Sequence, residues 1–304
     1  MRFESNQSKA ILIAGPTASG KSALAIKLAK KYDGIVINTD SMQVYSVLHQ
    51  LTARPDEDEM DGVDHHLFGH IHPSQTYSVA GWLNEVRCFL GNITTRNKTP
   101  IFVGGTGLYF KAMLEGLSEV PLIDPDLRRK LRDASLVDLE ALFRELQLLD
   151  PVGAAKLEAG DSQRIVRALE VVKSTGKSLT HWQNQKPGPS ILRAEHCKKI
   201  VLSPPRPLLH ERIAHRFGNM VDNGAVEEVK TLLELGFDRE MPAMRAIGVS
   251  QLQDYVEGKT SLDEAIELSV IATRQYAKRQ STWFRHQFDE SWTHISDPNA
   301  LFSA

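Results

Sequence analysis

Cysteine is scarce in this chain: two residues, Cys88 and Cys197, in 304. Thiols so few and so far apart form neither a disulfide framework nor a cysteine zinc site, and reduced thiols in a cytoplasmic protein are the expectation. No run approaches 18 consecutive apolar residues, which excludes a membrane-spanning helix. The first stretch, Met1 to Lys9, is polar and lacks the apolar segment of a signal peptide. Charge of one sign is missing too. The formal net charge is −2, so any nucleic-acid surface must be a local basic patch and not a global field. Internal repeats and low-complexity tracts are absent. What remains, 41% hydrophobic and 24% charged, is the balance of a globular protein, with length enough for a core carrying one sizeable insertion.

Against this plain background one octapeptide stands out, Gly15-Pro16-Thr17-Ala18-Ser19-Gly20-Lys21-Ser22. It completes the G-x-x-x-x-G-K-[ST] pattern of a phosphate-binding loop. The preceding Ala10–Ala14 reads as a short buried strand, and Ala23–Lys31 is rich in good helix formers. A strand feeding a glycine-rich turn at the mouth of a helix aims unpaired N–H groups and the positive end of the helix dipole at one point, which is an anion site. Lys21 is expected to neutralise a further phosphate, and the Ser22 hydroxyl to ligate Mg²⁺. Such loops commonly serve nucleotide binding, ATP above all.

Strand-like runs at Ile11–Ala14, Ile35–Asn38, Ile101–Val103 and Lys199–Leu202 alternate with long helical stretches, and Trp292–Ile295 adds a late candidate. This predicts an α/β fold: a P-loop NTPase-like parallel sheet core. Between the third and fourth strands, Leu122–Glu195 shows no strand and reads as helices near Pro125–Asp133, Leu136–Leu148 and Ser162–Ser174. We expect core residues 1–121, an all-helical insertion domain at 122–195 and a second part of the core at 196–304, with helices at Leu208–Asn223, Ala225–Leu235 and Ser261–Phe288. In parallel sheets ligands sit beyond the carboxyl ends of the strands, which places Thr17, Asp40 and Thr106 near one crevice.

Asp40, after the second strand, is placed to act as a general base, as a Mg²⁺ ligand, or merely as the cap of a following helix. Gly104-Gly105-Thr106-Gly107 lets backbone approach a ligand closely, with Thr106 offering a hydroxyl. His65, His66, His70 and His72 match no zinc spacing and read as satisfied loop histidines. Met42 and Met244 read as packing residues, as do Trp82, Trp182 and Trp283. Arg164 and Arg167 share one helix face opposite the apolar stripe Ile165, Leu169 and Val172. Arg128, Arg129, Lys130 and Arg132 form a second cluster, and Arg274, Lys278 and Arg285 a third. Charge runs of this kind are usually solvated faces.

Taken in order, GPTASGKS, DSMQVY (Asp40–Tyr45), HHL (His65–Leu67), GGTGLY (Gly104–Tyr109), DSQRIVRALE (Asp161–Glu170), MRAIG (Met244–Gly248) and TRQYAKRQ (Thr273–Gln280) resemble the tRNA dimethylallyltransferases, also called tRNA isopentenyltransferases. The match runs nearly the whole chain and lacks the zinc-finger extension of eukaryotic relatives. Leu51 stands where the family usually has Gly, and Ser250 where an Arg is common. The resemblance implies transfer of a dimethylallyl group from dimethylallyl diphosphate to N6 of the adenosine 3′ of the anticodon, with Mg²⁺ and a tRNA anticodon stem-loop as partner. It further implies that Gly15 through Ser22 hold the diphosphate, that Asp40 accepts the proton, that Thr106 bonds near the reacting centre, and that Arg245 grips the diphosphate from the opposite side. The tRNA contacts it implies are Asp40, Ser41, Met42, Gln43, Thr106, Arg128, Gln163, Arg164, Ile165, Val166, Arg167 and Arg245. A monomer without an obligate protein partner is expected. Two other classes share parts of this pattern: a small-molecule P-loop kinase with Arg164 and Arg167 in its lid, and an RNA-binding P-loop protein without catalysis.

Overall fold

The computed structural model describes residues 10–91 and 98–302, so Met1–Lys9 lies outside the described residues. Six strands form one sheet: β1 (Ala10–Ala14), β2 (Gly34–Asn38), β3 (His65–His66), β4 (Thr99–Gly104), β5 (Cys197–Leu202) and β6 (Thr293–Ile295). Their spatial order is β3-β2-β4-β1-β5-β6, and every neighbouring pair is parallel. All five residues of β1 are buried. A parallel strand covered on both faces is a continuous apolar run, which is why AILIA and GIVIN were legible as strands. Register pairs Ala14 with Gly104 and Val201, and Asn38 with Val103, so the strands end level and their following loops meet at one edge. β3 was not expected: two histidines carry no apolar signal, and the pairing depends on Val36 and Ile37 opposite them.

Helix α1 (Lys21–Tyr32) starts after Gly20, whose φ of 88° is a left-handed conformation that a residue with a Cβ resists. Leu24, Ala25, Leu28 and Ala29 bury one side of α1 against Ile11, Ile13, Val36, Ile101 and Val103 of the sheet. Helices α2 (Val79–Gly91) and α3 (Gly107–Glu115) follow, with Trp82 fully buried between Phe102 and a stacked Tyr109. Trp182 and Trp283 are only half-buried, unlike the core tryptophans expected. No helix among the described residues is long and apolar enough to cross a membrane.

The chain divides into two compact units, Met1–Leu114 with Ile191–Ala304, and Glu115–Ser190; both divisions fall earlier than residues 122 and 195. The second unit contains α4 (Pro125–Val137), α5 (Leu139–Leu149) and α6 (Ser162–Thr175), packed through Leu131, Leu142, Leu146, Ile165, Ala168 and Leu169. α4 runs past Asp133, and α5 starts later than Leu136, because Asp138 caps α5 by accepting from the Ala141 N–H at 2.8 Å. In the first unit, α7 (Arg206–Asp222), α8 (Ala225–Glu234), α9 (Val249–Val256) and the 26-residue α10 (Leu262–Gln287) share a core with Val44, Tyr45 and Leu48 of the long loop after β2.

Candidate active site

The loop Gly15–Ser22 closes on itself before it closes on a ligand. The Ser19 N–H donates to the Pro16 carbonyl at 3.2 Å, and Lys21 Nζ reaches the same oxygen at 3.4 Å. Ala18, at φ 61°, and Gly20 turn left-handed, which bends successive N–H groups towards one concavity. Burial lowers the Lys21 ammonium to about 8, with Arg216 acting in the same direction and Asp40 against it. A half-buried lysine facing a second cation is a site short of negative charge.

The loop after β2 is braced from three sides. Asn38 donates its amide to the carbonyls of Asp40 and Leu67, each at 3.0 Å, and accepts from the Asp40 N–H at 2.8 Å. Asp40 Oδ1 accepts from the Met42 N–H at 2.9 Å. No helix follows, so Asp40 is no helix cap. Thr106 Oγ1 accepts from the Ser41 N–H at 3.0 Å and donates to Ser41 Oγ at 3.3 Å, so this hydroxyl fixes Ser41 in place. Gln43 gives both amide hydrogens to the Thr52 and Ala53 carbonyls, at 2.9 and 2.8 Å, and so braces a turn.

A cavity of about 300 Å³ opens beside these groups. Thr17, Asp40, Ser41 and Met42 line one wall, and Arg216, Arg245 and Arg279 bring three cations. Leu51, Ile213, Phe217, Met220 and Ile247 make an aliphatic and aromatic wall. Such a lining suits a ligand with a small apolar portion and an anionic portion. Ala18 and Gly20 border a second opening of about 320 Å³ with Lys27 and Arg212, while Ser22 is exposed in the first turn of α1 and lines neither. Among the described residues no cluster of three His, Cys, Asp or Glu side chains could hold a metal; His65, His70 and His72 bond instead to the Val63 carbonyl, Glu85 and Ser74.

Two site residues escaped the sequence. Arg216 Nη2 donates to Thr17 Oγ1, and burial pulls its guanidinium below the usual range while Asp40 opposes the shift. Gln280 accepts from the Thr17 N–H at 2.9 Å and donates to the Gly105 carbonyl at 3.0 Å, tying α10 to both loops. A Cβ on Gly105 would sit 2.1 Å from Gln280 Nε2, so only glycine admits this bridge. Burial raises the Tyr276 hydroxyl, and Asp40 raises it further.

The expected tRNA contacts separate in the second unit. Gln163 and Arg164 are exposed on the first turn of α6, with Arg128 and Arg167 partly exposed. The side chains of Ile165 and Val166 are buried in the unit's core, where they pack on α4 and α5, so any contact with tRNA there would be made through the backbone. Arg245, by contrast, lines the cavity while pairing with Glu240.

A family model described as IPP transferase matches residues 43–287, and one described as isopentenyl transferase matches residues 8–68. A tRNA dimethylallyltransferase of Sinorhizobium medicae is 52% identical over 96% of this chain and 96% of its own. The chain belongs to the tRNA dimethylallyltransferase family. The relative from Rhizobium meliloti is equally similar at 52%. Among solved structures, a full-length tRNA isopentenylpyrophosphate transferase from Bacillus halodurans aligns with a TM-score of 0.66 at 35% identity, covering 95% of this chain and 90% of the other. A eukaryotic dimethylallyltransferase acting on tRNA aligns with a TM-score of 0.78 at 28% identity, covering 97% of this chain and 76% of its own. In this tRNA dimethylallyltransferase family member the two positions flagged in the sequence, Leu51 and Ser250, sit differently. Leu51 is buried in the cavity wall, its N–H donating to Glu228 Oε1 at 3.0 Å. Ser250 is exposed, bonds to Gln251 at 3.1 Å and is no part of the cavity.

Proposed function

We propose that this protein transfers a dimethylallyl group from dimethylallyl diphosphate to N6 of the adenosine 3′ of the anticodon in tRNA, releasing diphosphate, as a cytoplasmic enzyme. The observation that carries the reading is the cavity that sets an aliphatic wall, three arginines and Asp40 beside a phosphate loop. A five-carbon allylic chain matches the apolar wall of Leu51, Ile213, Phe217 and Met220, and the arginines match its diphosphate.

In the reaction the bond between the allylic carbon and the diphosphate oxygen breaks as the bond from N6 to carbon forms. The electron pair leaves with diphosphate, whose growing charge meets the loop N–H groups, Lys21 and Arg216. The exocyclic amine of adenine is a weak nucleophile and loses a proton as it bonds; Asp40, held by the Met42 N–H, accepts that proton. Thr106 keeps Ser41 and so Asp40 in register. Arg245 turns from Glu240 to the diphosphate. The adenosine leaves its stack to enter, as bases modified by enzymes do, and unstacked loop bases are the usual targets of sequence-specific RNA recognition. The residues present fit Mg²⁺: an ion held mainly by diphosphate oxygens and water asks one hydroxyl of the protein, and Ser22, exposed one residue beyond Lys21 at the start of α1, would supply it. When bound, the ion offsets negative charge on the diphosphate.

The test incubates the protein with radiolabelled dimethylallyl diphosphate, Mg²⁺ and tRNA transcripts carrying or lacking adenosine 3′ of the anticodon. Label entering only the adenosine transcript is the expected result. Label entering neither, with ATP consumed on a small-molecule acceptor, would instead make the protein a kinase.

A further inference from the structure

The second unit holds one acid that its composition does not account for. Glu170, on α6, keeps a side chain only 4% exposed, although lone buried carboxylates are costly. Three arginines surround it. Arg128 Nε and Arg132 Nε, one turn apart on α4, lie 3.6 and 3.7 Å from Oε1, and Arg167 Nη1 lies 3.3 Å from Oε2. Neutralising one buried carboxylate takes one guanidinium, so the cluster carries two cations in excess. Three cations nearby each have a carboxylate of their own: Arg129 with Asp126 at 2.5 Å, Arg164 with Asp161 at 3.4 Å, Lys173 with Glu145 at 2.6 Å. Acidic residues slightly outnumber basic ones across Glu115–Ser190, so the positive excess around Glu170 is not a property of the whole unit.

The geometry of the three pairs differs from that of a closed structural ion pair. Only the Arg167 contact is a hydrogen bond; the other two exceed hydrogen-bond distance, and Arg128 Nε is buried without a hydrogen-bond partner. The arginine side chains are 40%, 53% and 40% exposed, so each keeps surface open to solvent around an anchored carboxylate. Each guanidinium keeps a planar set of donors suited to bidentate contact with phosphate oxygens.

We propose that Glu170 is a positioning residue: from inside the unit it holds Arg128, Arg132 and Arg167 as a preformed fork for phosphodiester oxygens of the tRNA backbone. The proposal rests on the tRNA-modifying function and adds two residues, Glu170 and Arg132, to its machinery. Ordering the three long side chains in advance spares the entropy that binding would otherwise cost.

Glu170→Gln tests it, since the amide keeps the shape and one acceptor oxygen while removing the charge. The expected result is tRNA affinity weakened about tenfold, within the worth of one charge-assisted hydrogen bond, with a shallower dependence of log K on log[salt]. KM for tRNA rises in parallel, while kcat and KM for dimethylallyl diphosphate stay as in the wild type. A cluster acting by net charge alone would bind tRNA more tightly and more steeply with salt once the carboxylate is gone, and that result overturns the proposal. So does a lowered Tm with unchanged tRNA affinity, which would make Glu170 a purely structural acid. Should Glu170→Gln fail to fold, Arg132→Gln, on the exposed rim, is expected to flatten the salt slope by about 0.7–0.9 for one lost phosphate contact; an unchanged slope is equally decisive against it. Wild-type protein that neither binds nor modifies tRNA would sink the proposed function itself, whereas active wild type with both variants indistinguishable from it sinks only the fork.

Discussion

Asp40 and Lys21 face each other's charge across the phosphate loop, and each carries a separate prediction. Asn in place of Asp40 keeps an Oδ1 to accept the Met42 N–H, so the loop holds while the proton acceptor is lost. Single-turnover transfer should fall about 10²–10⁴-fold, the usual worth of a general base, with tRNA affinity nearly unchanged. An unaltered single-turnover rate removes Asp40 from the chemistry. Lys21 is charged below about 8 and neutral above it in the ligand-free protein. Bound diphosphate favours the charged form, so binding takes up a proton only above that value. Affinity for inorganic diphosphate should therefore be level in this group's contribution below pH 8 and decline above it, by at most about tenfold per pH unit for one proton. Calorimetry in buffers of different ionisation enthalpy reads the uptake directly. Lys21→Met should bind weakly with no proton uptake at pH 9; uptake that persists in the variant assigns the proton to the ligand and not to Lys21.

Among the elements, α10 does more than its sequence declares. The strands were legible because burial on both faces writes an unbroken apolar run, as in Ala10–Ala14, and the phosphate loop because glycine and lysine spacing there has one common use. Arg216 and Gln280 were not legible. On α7, Arg216 reads as one more polar position beside Ile213 and Phe217, and on α10 Gln280 is one polar residue among charged neighbours. Their roles come from tertiary contacts to Thr17, 199 and 263 residues away in the chain, and no local pattern encodes those. Ile165 shows the reverse: the motif resemblance marked it as a contact, while its periodicity already placed it on the buried stripe with Leu169 and Val172. Gln280→Leu leaves the Thr17 N–H and the Gly105 carbonyl without partners, at about 1–3 kcal/mol each if neither reaches water. We expect Tm to fall by about 2–4 °C per kcal/mol lost and KM for dimethylallyl diphosphate to rise. A variant with wild-type Tm and KM would show that the bridge holds nothing in place.

At the scale of the whole molecule, a protein with a formal net charge of −2 is proposed to bind a polyanion, and the pairing of its charges decides how. Most surface cations in the second unit that sit near the phosphate-facing candidates have a carboxylate of their own, and a cation already paired releases few counterions when RNA arrives. Arg129 is bound to Asp126 at 2.5 Å, whereas Arg164 lies 3.4 Å from Asp161 with its side chain 73% exposed. Asp161 also caps α6, accepting from the Arg164 N–H at 3.2 Å, so its charge is divided between the helix terminus and the guanidinium. Arg164 is therefore the looser partner and the better phosphate ligand. Arg164→Ala should weaken tRNA binding and flatten the plot of log K against log[salt] by about 0.7–0.9, the share of one phosphate. Arg129→Ala should leave the slope as it is. Filter binding across a salt series decides between them: equal slopes for wild type and both variants would make Arg164 a solvated bystander, and a change confined to Arg129→Ala would mean that ion pairing does not predict which cations meet the RNA.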